Sequence, residues 1–406
     1  MTAFDVAIVG AGPAGLSAAI AAAEAGGRVA VVDENRVPGG RLLGQLHQES
    51  KDSWWIGQKV AAGLGERAAA AGVELFCGRE VWGMHPGWFL ALDGGDTISA
   101  PHVVLASGAA ERAMPIPGWT LPGVMTVGAA QTLTNFYRVR PGQRIAVVGV
   151  DPLSLTVAHE LKMAGADVVG IFLPPLSKLS GQGGHPGHNL GYLSGLASLA
   201  PNAFLRAAAG LVRNPVARKA AARLYPESGV PVLGVPLKLK QSITAIEGDE
   251  RVRAVEVTDI DAQGRPKGRT RLLEVDCVCL SGGLYPVQEL TGGCAAARID
   301  ELGGQVPLHS EEMETTLKNV FVAGNVTGIE GAKVAMAQGT VAGLAVAARL
   351  GLAEPARLRD AIASVDDVRR TSPITFLPNV GEGRRKAGEL WAAAGTHQQA
   401  EAQAWA

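Results

Sequence analysis

The sequence predicts an α/β protein with two Rossmann-like, three-layer dinucleotide-binding domains. The second is inserted in the first, with a helical insertion and a helical C-terminal tail. Three observations predict it. A strand, glycine turn, helix, strand and acid run from Asp5 to Glu34. The same order recurs from Arg144 to Leu173. A third strand–turn–helix pattern, Lys318 to Gly343, follows much later. The expected boundaries are 1–115 and 290–350 for the discontinuous first domain and 116–289 for the second. A helical insertion is expected at 175–226 and a tail at 351–406.

The first unit is the most informative. Asp5 to Val9 is a short apolar run, read as a buried parallel strand. It runs into Gly10-Ala11-Gly12-Pro13-Ala14-Gly15 and an alanine-rich helix ending near Gly26. A second apolar run, Arg28 to Val32, ends at Asp33-Glu34. Gly10 allows the tight turn, Gly12 lets backbone approach a pyrophosphate, and Gly15 lets helix pack on strand. The helix N-terminus offers N–H groups and a positive dipole end to phosphates. Asp33 is placed to accept bonds from ribose hydroxyls. Pro38-Gly39-Gly40 suggests another close backbone approach to a ligand.

Val103 to Leu105 reads as a strand leading to Ala106-Ser107-Gly108. The proline-rich stretch from Met114 to Gly123 reads as a domain boundary or crossover.

The internal repeat follows. Aligned without gaps, Gly10 meets Gly149, Gly12 meets Asp151, Gly15 meets Ser154 and Asp33 meets Phe172. The architecture is a second nucleotide-binding unit, but Asp151 would repel and crowd a pyrophosphate. Phe172 cannot bond a ribose hydroxyl. Productive NAD(P) binding there is therefore disfavoured, and a scaffold or a different ligand is expected.

From Val168 to Pro226 there is no Asp or Glu, while Lys178, Arg206, Arg213, Arg218, Lys219 and Arg223 all fall inside. The stretch reads as basic amphipathic helices broken by prolines. It leaves three alternatives open: a solvated basic face, docking on a partner subunit, or peripheral contact with an anionic membrane. His185 and His188 lie in a glycine loop, but two histidines do not complete a metal site, and no metal is expected.

Strand-like runs resume at Val230–Leu233 and Val252–Thr258, with Asp261 to Arg269 as a polar hairpin-like connection. Val275 to Leu280 is a strand ending in Ser281-Gly282-Gly283. Asn319 to Ala323 is the last strand. It ends at Gly324-Asn325, and Thr327 to Ala332 opens a helix of small residues. Asn325 can bond a ribityl or phosphate group, and the helix start can face developing negative charge on a flavin. After Gly351 the composition reads as helices with a proline-containing connection near Ser372–Asn379.

Composition narrows the classes. The chain has 406 residues, 47% apolar and 18% charged, which excludes disorder and suits two or three domains. Its 53 glycines show no collagen period, so they serve turns and close approaches. A net charge of −1 gives no chain-wide basic field for nucleic acid. Cys77, Cys277, Cys279 and Cys294 are too scattered for a disulfide framework. No Cys-x-x-Cys occurs, which argues against a dithiol centre or a cysteine-rich iron–sulfur module within the chain. Cys277 and Cys279 alternate on a strand and are read as buried small residues. The N-terminus reaches a strand pattern at once without a basic leader, and no long uninterrupted apolar run occurs. The expected compartment is the cytoplasm.

Together these motifs resemble the two-dinucleotide-binding-domain flavoproteins, with pyridine nucleotide–disulfide oxidoreductases and thioredoxin reductase as relatives. Gly10–Gly15 with Asp33 is similar to their site for the ADP half of FAD. Ala106-Ser107-Gly108 is similar to their ATG turn, with Ser for Thr. Gly324-Asn325 is similar to their GD motif, with Asn for Asp. A narrower resemblance rests on Asp33-Glu34 with Pro38-Gly39-Gly40, on Pro117 to Met125, and on Gly128 to Gln131. It points to the branch holding the alpha subunit of heterotetrameric sarcosine oxidase, the FAD subunit of hydrogen cyanide synthase, and the A subunit of octopine and nopaline oxidases. This chain has no cysteine after Cys294, whereas many branch members carry a cysteine-rich segment there.

The resemblance implies FAD held by Gly10, Gly12, Pro13, Ala14, Gly15, Asp33, Glu34, Gly39, Gly40, Arg41, Val81, Ala106, Ser107, Gly108, Gly324, Asn325, Gly331 and Ala332. It implies a FAD-dependent oxidoreductase subunit within a complex that oxidises an amine, amino acid or related small molecule. Electrons would pass through FAD without a cysteine pair. Its partners would be a small iron–sulfur subunit plus a second flavoprotein subunit. A stand-alone NAD(P)H-dependent flavin or ferredoxin-type reductase, and a nucleotide-holding scaffold, are the alternatives. No catalytic acid or base stands out. Arg41, Gln45, His47 and Lys333 lie near the motifs and are read as structural or surface residues.

Overall fold

A computed structural model describes residues 4–50, 53–195, 210, 212, 214–372 and 376–404. The chain forms two compact units. The first comprises Met1–Leu43, Ile56–Ala110 and Leu284–Ala406, and the second Gly44–Trp55 and Glu111–Gly283. Both are α/β units built on parallel sheets.

The first unit holds a five-stranded sheet in the order Val320–Val322, His102–Leu105, Val6–Val9, Val29–Asp33, Glu74–Cys77. All neighbours are parallel, with Val9 level with both Val32 and Leu105, and Leu105 level with Val322. The two innermost apolar runs are buried along their whole length, as a sheet covered on both faces requires. The Pro13–Glu24 helix is buried through Ala14–Ala22 because the Ala332–Arg349 helix packs on it. Small residues permit that contact. A Cβ on Gly339 would lie 2.0 Å from Ala14 O, and one on Gly343 2.2 Å from Ala18 O. The helices Pro355–Thr371 and Val380–Ala404 belong to this unit, so the tail groups with it.

The second unit repeats the pattern. Val124–Thr126, Cys277–Leu280, Arg144–Val148, Asp167–Leu173 and Val235–Gly248 follow one another in its sheet, parallel at each step. Val252–Ile260 and Pro266–Glu274 extend it as an antiparallel meander. The Val235–Gly248 strand is not among the strands predicted from sequence, although Val235, Leu237 and Leu239 alternate into the core. The polar connection read as Asp261–Arg269 is shorter. Asp261 Oδ1 accepts N–H bonds from Gln263 and Arg265 at 2.8 and 3.0 Å, so the turn closes early and the next strand starts at Pro266.

The proline-rich stretch lies within the second unit. Ile246 N–H donates to Pro117 O at 2.8 Å, and Val278 N–H to Gly123 O at 2.9 Å. The 44–55 excursion joins the same unit, where Asn135 Nδ2 donates to Gly44 O at 2.7 Å. The helical insertion shows helices at Pro186–Gly195 and Pro215–Leu224. Arg206 and Arg213, part of the basic run, lie outside the described residues.

Candidate functional site

The turns of the first unit gather at the carboxyl ends of its parallel strands, where open α/β sheets bind ligands. Gly10, at φ +101°, follows Val9. A Cβ there would lie 2.5 Å from Ala106 O. A Cβ on Gly15 would lie 1.8 Å from Gly10 O, so only glycine lets the helix start so close to the strand. Gly12 differs, because nothing in the protein lies within 4 Å of its missing Cβ. The Pro13–Glu24 helix carries no side-chain cap, so its first N–H groups face that open space.

The second glycine pair stands against the first turn. Gly39 N–H donates to Ala11 O at 2.8 Å, and a Cβ on Gly40 would lie 3.1 Å from Gly12 Cα. Ala106 N–H donates to Val9 O at 2.8 Å, bringing Ala106-Ser107-Gly108 alongside. Ser107 Oγ donates to Val287 O at 3.2 Å. Gly324, at φ +78°, touches Ala14, and its N–H donates to Gln338 Oε1 at 3.0 Å. Asn325 Oδ1 accepts the Glu330 N–H at 3.1 Å, so its oxygen braces the loop and its Nδ2 is the group left over. Gly331 precedes the Ala332–Arg349 helix, which also lacks a side-chain cap. Arg41 is exposed on the Gly40–Gly44 turn, and Val81 is half-buried against the unit's core.

The two acids at the end of the second strand have different roles. Asp33 is 8% exposed and already occupied. Its Oδ2 accepts the Ala11 N–H at 2.6 Å, and its Oδ1 accepts Asn35 N–H and Nδ2 at 2.8 and 2.9 Å. Glu34 is exposed and bonds to nothing among the described residues. The motif spacing predicts the ribose contact at Asp33, but the geometry makes that residue a brace for the glycine turn.

The equivalent turn of the second unit is filled by the protein itself. Asp151 caps the Pro152–Met163 helix, its Oδ1 accepting the Ser154 N–H at 2.8 Å. Ser154 Oγ accepts the Asp151 N–H at 3.0 Å, completing a capping box. Ser281 Oγ donates to Asp151 Oδ2 at 2.5 Å. Burial pushes the Asp151 carboxyl up, opposed by these bonds. A second carboxylate, missed in the sequence, sits at the start of the Val127–Asn135 helix. Glu111 Oε1 accepts the Gly128 N–H at 3.0 Å, and Oε2 the Thr126 hydroxyl at 2.6 Å. Phe172 is wholly buried. Carboxylates thus stand where a pyrophosphate would need donors, and these residues do not fit NAD(P).

Cys277 and Cys279 are buried, with their sulfurs 4.0 Å apart. The hydrogen bond to Cys277, together with burial, pushes the Cys279 thiol well up, away from a reactive thiolate. Gln45 and His47 are structural. Trp55 Nε1 donates to Gln45 Oε1 at 3.0 Å, and the His47 ring stacks on Trp55. Among the described residues no three His, Cys, Asp or Glu gather as a metal site, and no helix is long and apolar enough to cross a membrane.

A profile of the family described as pyridine nucleotide-disulphide oxidoreductase matches residues 4–339. The A subunit of opine oxidase from Agrobacterium tumefaciens (strain Ach5) is 28% identical over 86% of this chain and 66% of its own. The alpha subunit of sarcosine oxidase from Rhizobium meliloti (strain 1021) is 27% identical over 93% of this chain and 34% of its own. The chain therefore spans about two thirds of the first relative and about one third of the second. Thioredoxin reductase of T. acidophilum shares the fold, with a TM-score of 0.62 at 21% identity, covering 86% of this chain and 99% of that one.

Proposed function

The chain belongs to the pyridine nucleotide-disulphide oxidoreductase family, and on that premise we propose that it is the FAD-binding subunit of a multi-subunit oxidoreductase acting on an amine, amino acid or related small molecule. It is an oxidoreductase, and FAD is the cofactor of the family. The residues of the first unit fit that group. Gly12 opens onto free space, two helices start uncapped at Pro13 and Ala332, and Gly39-Gly40 and Gly324 bring backbone close without side chains. In this reading Gly10, Gly12, Pro13, Ala14 and Gly15 hold the pyrophosphate, and Gly39, Gly40, Arg41 and Val81 flank the nucleotide. Ala106, Ser107, Gly108, Gly324, Asn325, Gly331 and Ala332 surround the rest of the cofactor. Glu34 replaces Asp33 as the acceptor of the ribose hydroxyls. Bound FAD supplies two-electron chemistry at its isoalloxazine ring, while the chain binds and orients it.

One observation carries the reading: the first nucleotide turn is open and uncapped, and the second is closed by Asp151. Such a chain holds one dinucleotide and lacks both a reactive dithiol and a fitting nicotinamide site. Its electrons then come from a partner. That suits donation by a second flavoprotein subunit, with onward transfer to a small iron–sulfur subunit. The subunit names of the relatives support this.

The test is an absorbance spectrum of the purified chain, then anaerobic NADH and NADPH. Flavin bands that neither nucleotide bleaches are the expected result. A colourless protein refutes the FAD reading, and rapid bleaching refutes the partner-dependent one.

A further inference from the structure

The second unit contains a cavity of about 400 Å³ that the nucleotide turns do not use. It is lined by His185 and His188 from the glycine loop and the helix after it, by Arg218, Lys219 and Arg223 from the Pro215–Leu224 helix, and by Gln263 from the meander turn. No carboxylate lines it.

The charges gathered here oppose one another. Lys219 and Arg223 are four apart on one helix, a like-charge spacing that weakens a helix. Burial, His185 and Arg218 together hold the His188 imidazole below its ordinary pKa. The Arg218 guanidinium is wedged against the neighbouring helix, where a Cβ on Gly191 would lie 2.5 Å from its Nη1. Among the described residues no acid pairs with Arg218, Lys219 or Arg223. The sequence supplies none nearby either, because Val168 to Pro226 contains no Asp or Glu at all. Packing alone does not require five basic groups around one hollow, and the repulsion lacks an internal counter-ion.

We propose that this hollow is a binding site for a compact, multiply charged phosphate-bearing small molecule. Guanidinium and ammonium groups around a concavity suit phosphate oxygens, which accept several charge-assisted bonds at once. The volume lies in the lower range of small-ligand pockets, which favours a small molecule over an extended surface. The Gln182 and Gln263 amides add neutral donors at the rim. The site is separate from the Asp151 turn and does not depend on the FAD reading.

The probe is inorganic pyrophosphate, titrated by calorimetry into the full chain at saturating FAD. One saturable site is expected, weakening as ionic strength rises and at least about tenfold weaker in Arg218→Gln. Pyrophosphate should also raise the His188 pKa, read from its imidazole C2 proton by NMR, because a bound anion favours the imidazolium. If Arg218→Gln does not fold, Arg223→Gln at an exposed position should weaken binding about threefold. No saturable heat, unchanged affinity in the variants, or an unmoved His188 titration overturns the proposal. So does binding to phosphatidylserine vesicles that pyrophosphate cannot displace, since that would make the basic face a membrane contact.

Discussion

Ser281 Oγ donates to Asp151 Oδ2 at 2.5 Å, and this contact seals the second nucleotide turn with a carboxylate of the protein's own. The anion that helix starts attract in this fold is thus supplied internally. Ser281→Ala removes a donor from a buried carboxylate and should lower stability by about 1–3 kcal/mol. Asp151→Ala removes the helix cap and should lower it by about 1 kcal/mol. Neither change touches the first unit, so flavin absorbance per chain should be unaltered. Thermal unfolding and the visible spectrum check both. The native chain should also show no saturable NADH binding by fluorescence, and a well-defined NADH site would mean that Asp151 does not close the turn.

The same pair shows what the sequence could and could not reveal. Asp151 opposite Gly12 in the repeat announced that the second turn had changed its chemistry, because residue type alone decides whether backbone can approach a phosphate. The partner Ser281 could not be read, since it is brought in by a strand far along the chain. Parallel strands and glycine turns were legible from apolar runs and punctuation. The Val235–Gly248 strand was not singled out, although its alternation was present, and Glu111 carried no local signal. Its role exists only because Thr126 and Gly128 fold back on it. Asp33 and Glu34 were both visible as acids. Which one is free depends on the Ala11 N–H bond, a contact that no spacing reveals.

That distinction is testable. Asp33→Ala leaves the Ala11 N–H without its acceptor inside the turn and should cost about 1–3 kcal/mol of stability. Glu34→Ala leaves the fold intact, because Glu34 is exposed. It should instead weaken FAD binding roughly tenfold, about 1.4 kcal/mol. Flavin release during dialysis and the unfolding midpoint separate the two effects. Equal flavin loss without destabilisation in Asp33→Ala would return the ribose contact to Asp33.

Glu160 gives the second unit a pH dependence. Its carboxylate is 3% exposed and faces amides, with Gln131 Nε2 at 3.1 Å and Asn135 Nδ2 at 2.7 Å. Burial pushes its pKa up to about 8, against the bonds from Gln131 and Asn135. The folded state therefore holds a proton that the unfolded chain releases near pH ~4.3. Stability from this group is present at low pH and declines as pH rises from there toward 8, levelling above it. Glu160→Gln removes the titration. It should unfold at a higher temperature than the native chain at pH ~9, by a few degrees, and at a similar one near pH ~5. A parallel pH dependence in both proteins would show that Glu160 does not control it.

Glu330 sets the opposite dependence in the first unit. It is 8% exposed and accepts bonds from Arg369 and Arg384, one from each tail helix. Arg384 Nη1 also donates to Thr327 O at 2.8 Å, so the tail is tied to the loop that follows Gly324-Asn325. Burial pushes the Glu330 carboxyl up, but Arg384 and Arg369 outweigh it and hold the pKa below the usual value. Its contribution is present above the ordinary glutamate pKa of ~4.3 and is lost as pH falls through the lower folded one. Nearby His309 acts over a higher range. Burial and Arg384 hold it down to about 4, so falling pH charges the unfolded chain's histidine first and destabilises the fold from about 6.5 downward. Glu330→Gln strands two largely buried guanidinium groups and should cost about 3–5 kcal/mol. Because both groups lie on the tail helices, limited trypsin digestion should cleave the tail sooner in the variant than in the native chain at pH ~7.5. Loss of stability with the tail cleaved no faster would mean that Glu330 supports the core without holding the tail helices.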